Sequence, residues 1–440
     1  MNGTDEVVES KAQFFVLLAL ITSAGLLFSC VIHFIAYPLL GYTQYPYSTF
    51  LGLEHLIFSD FYETCHRSTH SDPYSIWTLY FPSALGFFAP FCSFTPHTLS
   101  LDDLLAILVL VNLISFTLIS ARLLKVGSRS LAYWLLFYVT SYPFLYAVNR
   151  GNVELLIVTF VGGFLFLERT GRSKGAVALI SLAASFKGIP GIFAAEYLCR
   201  GKYAVFGGVL VLIAALSVVG VLQLPGSMSG HLAGLLRQHQ QFDIVWAQGL
   251  DGLVRSASFY GMVKALLLLT GVNLASANVI SSILWAALLM VLGYQLWAMI
   301  HRRRPATEAS RFMVMALIFL FFPRVSNDYK VMVLSLFPLL LTDDEWRFFG
   351  RPANTIVFGL IFVPKNFIVL NFDSLTRFDA NLQSTYADVT LGSIVTPLLI
   401  CTLAVSFFFF QNKPGNARGV SAGEMCSGGA GRRFRLRKGL

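Results

Sequence analysis

Residues 175–199 read GAVALISLAASFKGIPGIFAAEYLC, and the way this stretch meets a bilayer decides the topology of the chain. It is apolar and long enough to cross about 30 Å of hydrocarbon. However, Lys187-Gly188-Ile189-Pro190 breaks its middle, and a proline inside a helix removes a backbone hydrogen bond. Basic residues flank it on both sides, with Arg169, Arg172 and Lys174 before and Arg200 and Lys202 after. A single crossing would put one of these clusters outside. A broken re-entrant hairpin keeps both inside, and non-helical backbone is tolerated at membrane depth where protein surrounds it.

Working outward, the other apolar runs read as spans at approximately 13–39, 102–122, 131–148, 153–168, 203–223, 278–300, 310–323, 331–341, 354–371 and 391–410. The chain is 56% hydrophobic and only 12% charged, against roughly 25% charged residues in a soluble domain. The fold class is therefore all-α and polytopic, with about ten transmembrane helices, the hairpin and a large first outer loop. Phe14 to Leu40 is too long for a signal h-region and has no clear cleavage site, so it reads as the first span. This arrangement leaves both termini and most of the 32 Lys and Arg on the cytoplasmic side. The net charge of +9 is then a matter of topology, and nucleic acid is not an expected partner.

The outer side holds the long segments 41–100, 224–277 and 372–390, the second with an interfacial helix around Phe259–Thr270. Residues 1–411 form the membrane domain. Residues 412–440 form a Gly-rich basic cytoplasmic tail, expected to be disordered and to touch anionic headgroups among the membrane lipids.

Polar residues suited to chemistry gather on the outer side. Asp60, with Tyr62 and Glu63 beside it and Tyr80 further along, is a carboxylate near the membrane surface. It can serve as a general base or simply as a helix cap. In Asn149-Arg150-Gly151-Asn152-Val153-Glu154, Arg150 at a helix start favours an anion such as phosphate, or an Arg150–Glu154 pair. Asn152 can cap the next helix. Lys187 carries a cation to the hairpin tip, where it can meet an anion, snorkel or pair with Glu196. In Pro323-Arg324-Val325-Ser326-Asn327-Asp328-Tyr329-Lys330, Arg324 and Lys330 can neutralise a leaving phosphate. Asp328 can orient one of them or bind sugar hydroxyls. The alternative is a polar turn in which Ser326 or Asn327 caps the next helix.

Weaker signals accompany these. Cys65-His66 and His70 have metal-like spacing, but no second cluster supports a metal site. Cys65 and Cys92 share the first outer loop and read equally as a disulfide or as two free thiols. Arg237-Gln238-His239, and Asp251 with Arg255, line a cavity or form an amphipathic surface. There is no Walker loop, dinucleotide fingerprint or nucleophile elbow, so no nucleotide cofactor is expected.

Taken in order, Asp60-Phe61, Tyr80-Phe81-Pro82, Arg150-Gly151-Asn152, Lys187 to Pro190 and Asp328-Tyr329 resemble glycosyltransferase family 87, the polyprenyl-phosphate-mannose-dependent transferases. The resemblance covers roughly residues 13–410, and Asn152 stands where Gln is common. It implies a glycosyltransferase C fold and inverting transfer of a sugar, mannose first, from a polyprenyl-phosphate donor to a glycan or glycolipid acceptor. Asp60 would be the general base, with Arg150, Asn152, Lys187, Asp328 and Tyr329 at the donor. Arg324 and Lys330 join them on charge and placement alone. Tyr62, Glu63 and Tyr80 are acceptor-side candidates. No metal or other cofactor is implied. The expected setting is the plasma (inner) membrane, with the site on its extracytoplasmic face. A transporter or flippase for a lipid-linked or anionic solute is the competing reading, as is a lipid-linked polysaccharide ligase or polymerase.

Overall fold

The computed structural model describes residues 3–36, 39, 57–74, 80–94, 100–253, 256–301, 306–365, 369–371 and 388–411. The tail 412–440, most of the 372–390 segment, Arg255 and the Asp251 side chain lie outside the described residues.

Helix α1 (Gly3–Val31) runs into a π turn, Ile32–Ala36. Two shorter helices follow, α2 (Ser59–Thr69) and α3 (Pro82–Phe94). Next come α4 (Leu101–Leu124), α5 (Ser128–Thr140), α6 (Tyr142–Arg150) and α7 (Glu154–Arg169). Helix α8 (Ser173–Lys187), a 3-10 turn (Ile189–Ala194) and α9 (Ala195–Cys199) make up the hairpin. Helix α10 (Tyr203–Gln223) leads to α11 (Met228–Phe242), a π turn (Asp243–Gln248) and α12 (Phe259–Leu269). The rest is α13 (Leu274–Ile300), α14 (Glu308–Phe321), a 3-10 segment (Asp328–Leu340), α15 (Asp343–Phe349), α16 (Pro352–Ile361) and α17 (Leu391–Gln411). Before α17, β1 (Val369–Asn371) and β2 (Asp388–Thr390) pair antiparallel, with Leu370 opposite Val389.

Five of these helices are long and apolar enough to cross a membrane: α1 with its π turn, α4, α10, α13 and α17. Helices α5 and α6 pass the same test as one span, bent by 51°. Helices α10 and α13 expose Leu210, Val211 and Leu222, and Val279, Ile283 and Met290. These are the surfaces expected to face lipid. The interior is aromatic: Phe14, Phe15, Trp134, Trp346 and Phe358 lock α1 to α5, α15 and α16, with ring centroids 5.2–5.9 Å apart for Phe14 on Trp346 and on Phe358.

Two expected spans take a different form. The run expected at 331–341 is a 13-residue 3-10 segment starting at Asp328. A 3-10 helix rises about 2.0 Å per residue, so these 13 residues reach about as far as an α-helix of about 17. The run expected at 354–371 is helical only to Ile361. Pro364 follows the cap and cannot continue a helix. Lys365 Nζ instead donates to the carbonyls of Leu360 and Val363, both at 2.7 Å.

The hairpin returns to the side it leaves. Its tip, Lys187, bonds Glu154 at the first residue of α7. Its base, Arg200, meets Glu168 at the far end of α7, 3.5 Å away. Gly188 turns the tip with φ +75°, against the ring of Phe81. Glu196 is not the partner of Lys187. It takes Arg311 at 2.7 Å and Arg200 at 2.6 Å, at the base of the hairpin.

Candidate functional site

The site begins where α6 ends. Arg150 is the last residue of α6, and Gly151 reverses the chain with φ +64°. A side chain at Gly151 would strain the backbone, and its Cβ would sit 2.7 Å from Phe61 Cβ. That close approach lets the start of α2 dock on the turn, where Phe58 N–H donates to Asn149 O at 2.8 Å. Asp60 then faces Arg150 and Asn152: its Oδ1 accepts from the Arg150 guanidinium and its Oδ2 from the Asn152 amide. Asn152 Oδ1 accepts from the backbone N–H of Glu154 at 3.0 Å, fixing the start of α7. A disulfide between Cys65 and Cys92 fastens α2 to α3, with the Cα atoms 5.3 Å apart.

The hairpin tip enters from the other direction. Lys187 Nζ lies 2.9 Å from Glu154 Oε1 and 3.3 Å from Asn152 Oδ1. It also sits over the rings of Tyr80 and Tyr329, 5.1 and 5.5 Å from their centroids. Tyr329 and Lys330 arrive on the first turn of the 3-10 segment.

A third wall comes from α11 and its π turn. Lys264, fully buried on α12, donates to the carbonyls of Ala247 and Gln248, both at 2.9 Å, and to that of Gly249. It thereby ties down the end of the π turn. Asp243, at the start of that turn, pairs with Arg324 at 3.2 Å. The Arg324 guanidinium packs against Tyr260 and Trp285, 5.6 and 5.2 Å from their ring centroids.

These walls enclose a cavity of about 750 Å³. Its charged lining pairs off. Arg150 is met by Asp60, Lys187 by Glu154, Arg67 by Glu63 at 2.9 Å and Arg324 by Asp243. Lys330 remains, with no ion pair among the described residues. The cavity therefore carries one surplus positive charge. The Nε of Arg150 is also buried without an acceptor.

The structure brings Asp60, Glu63, Tyr80, Arg150, Asn152, Lys187, Arg324, Tyr329 and Lys330 onto one cavity. Two candidates point elsewhere. Tyr62 turns to α4, and its O–H donates to Asp102. That hydrogen bond, with burial second, pushes the phenol up to about 12. Asp328 is buried and absent from the cavity lining, and its charge acts on Lys365, which does not line the cavity either. A 3-10 turn spaces side chains about 120° apart, so Asp328 and Lys330 cannot share a face. Neither Ser326 nor Asn327 makes a side-chain helix cap. Asn327 instead donates to the Tyr329 hydroxyl at 2.8 Å. Cys65 is taken by the disulfide and cannot serve as a metal ligand with His66 and His70.

Sequence reasoning missed Glu154 as the partner of Lys187, and missed Asp243, Arg67 and Lys264. A signal for Arg67 was present. Asp60, Glu63, Thr64 and Arg67 recur at helical spacing, forming a polar stripe on α2 that faces the cavity.

Residues 77–323 match the model of glycosyltransferase family 87, which is more than half of the chain, and the protein belongs to that family. It is thus a membrane glycosyltransferase of the C-type fold. Asp60 and the Arg324–Lys330 turn fall just outside the matched stretch, and the fold returns them to the same cavity. No curated protein and no solved structure matches the chain.

Proposed function

We propose that this cavity transfers a sugar, mannose in the first instance, from a polyprenyl-phosphate donor to a hydroxyl of a glycan or glycolipid, with inversion at the anomeric carbon. The observation that carries this reading is the surplus charge at Lys330. A glycosyl phosphodiester bears one negative charge, and every other lining cation already has a carboxylate. Lys330, which has no ion pair among the described residues, and the unused Nε of Arg150 are two donors a phosphate oxygen can meet.

The chemistry follows from the pairing. At rest both Asp60 oxygens are occupied, one by the Arg150 guanidinium and one by the Asn152 amide. An arriving phosphate competes for Arg150 and leaves Asp60 free to accept the proton of the acceptor hydroxyl. As the acceptor oxygen attacks, the bond from the anomeric carbon to phosphate breaks. The second charge on the departing phosphate is met by fixed cations in a site of low polarity. Proton removal on one side and leaving group on the other give inversion. No metal is needed in this scheme. The Cys65–Cys92 disulfide beside the cavity supports an oxidising setting, the extracytoplasmic face of the plasma membrane.

The test is Asp60→Asn in purified protein incubated with polyprenyl-phosphate-mannose and candidate acceptors. Sugar transfer should be lost while binding of polyprenyl phosphate persists. Undiminished transfer would remove Asp60 from the mechanism, and the proposal with it.

A further inference from the structure

We propose that the part of the cavity between α2 and α11 is an acceptor subsite that takes the hydroxyl face of an uncharged sugar. The inference rests on the transferase reading and assigns its second substrate.

The carrying observation is Gln238. This side chain is 4% exposed and lines the cavity. Its Nε2 donates to Tyr74 O at 2.8 Å, but its Oε1 is buried and accepts no hydrogen bond among the described residues. A buried amide oxygen left unpaired is costly, so the site calls for a donor group from a ligand. A hydroxyl supplies one, whereas a phosphate or carboxylate does not.

The neighbouring groups point to the same chemistry. Across the cavity, Arg67 is already neutralised by Glu63, so this wall adds no net charge. The His239 imidazole lines the same wall, and partial desolvation there holds its pKa below the ordinary 6.5, so the neutral ring, able both to donate and to accept, predominates at pH 7. Phe242 and Trp246 stack at 5.9 Å along the same wall, a surface suited to the apolar face of a sugar ring. The placement suits catalysis too. Glu63 lies one helical turn, about 5 Å, from Asp60. A sugar held here can present a hydroxyl to the base, with Lys330 left for the donor.

The test uses the full chain in lipid nanodiscs, titrated with methyl α-mannopyranoside and mannobiose and read by tryptophan fluorescence. The wild type should show a saturable change. Gln238→Leu and His239→Ala should each weaken it at least tenfold, while Lys330→Met leaves it in place. His239 is exposed on its helix, so its variant keeps the test valid if Gln238→Leu does not fold. No saturable change in the wild type, or equal binding by the wild type and both subsite variants, overturns the proposal. Equal weakening by Lys330→Met also overturns it. Polyprenyl phosphate binding on the same samples separates the two readings. If Lys330→Met leaves lipid binding intact, the donor assignment fails whatever the sugar titration shows.

Discussion

Lys187 and Glu154 meet at 2.9 Å, although they approach from opposite directions. Lys187 ends a helix rising from the hairpin base, and Glu154 begins the helix that runs the other way beside it. Glu154 is fully buried, and its second oxygen has no donor among the described residues. The pair is therefore both a structural clasp and a buried charge pair on the lining of the cavity.

Breaking this pair from one side strands the other charge, at a cost of about 3–5 kcal/mol. Lys187→Met and Glu154→Met should each lower the thermal unfolding midpoint sharply in detergent. The double variant should recover most of the loss, because it leaves no charge behind. A double variant as unstable as the sum of the two singles would show that the clasp is not the relevant coupling.

Lys330→Met removes the surplus charge and leaves the four ion pairs intact. A hydrogen bond to a charged group contributes about 1.5–3 kcal/mol. Affinity for polyprenyl phosphate should therefore fall by about 10- to 100-fold, at little cost in stability. Equilibrium binding of the lipid phosphate to purified protein measures this directly.

Gly151→Ala meets two obstacles, the positive φ and the approach of Phe61. The backbone term alone is about 1–3 kcal/mol. Gly151→Asn tests which obstacle matters, since Asn tolerates the left-handed region but still carries a Cβ. If contact dominates, both variants displace α2 and lose transfer alike. Activity retained by Asn alone would assign the effect to φ.

Lys264→Met removes the amine that gathers the carbonyls of Ala247, Gln248 and Gly249. The π turn should loosen, taking Asp243 away from Arg324. Faster amide hydrogen exchange confined to residues 243–249 is the expected signature, together with reduced sugar transfer. Exchange unchanged over that turn would contradict the role given to Lys264.

Much of the architecture was readable because its causes are local. Hydropathy marked the long helices, and the charge flanks with Lys187-Gly188-Ile189-Pro190 marked the hairpin. The site was readable as far as each polar element stood out against an apolar background, as Arg150, Lys187 and Lys330 do. What stayed hidden depends on rotation and partner choice. Asp328 and Lys330 are two residues apart, and only the 3-10 winding decides which one enters the cavity. Glu154 looked like a partner for Arg150, four residues before it. The positive turn at Gly151 hands Arg150 to Asp60 instead and leaves Glu154 to Lys187. Lys264 could not be read at all, because its three acceptors are main-chain atoms of a distant turn.

The covalent link between Cys65 and Cys92 has a practical consequence for making the enzyme. A cell-free extract kept under dithiothreitol, or a host lacking thiol oxidases, would insert the apolar helices unaided. The carboxylate of Asp60 would then be held by non-covalent contacts alone, so preparations of equal purity should differ in specific activity according to how oxidising their source was.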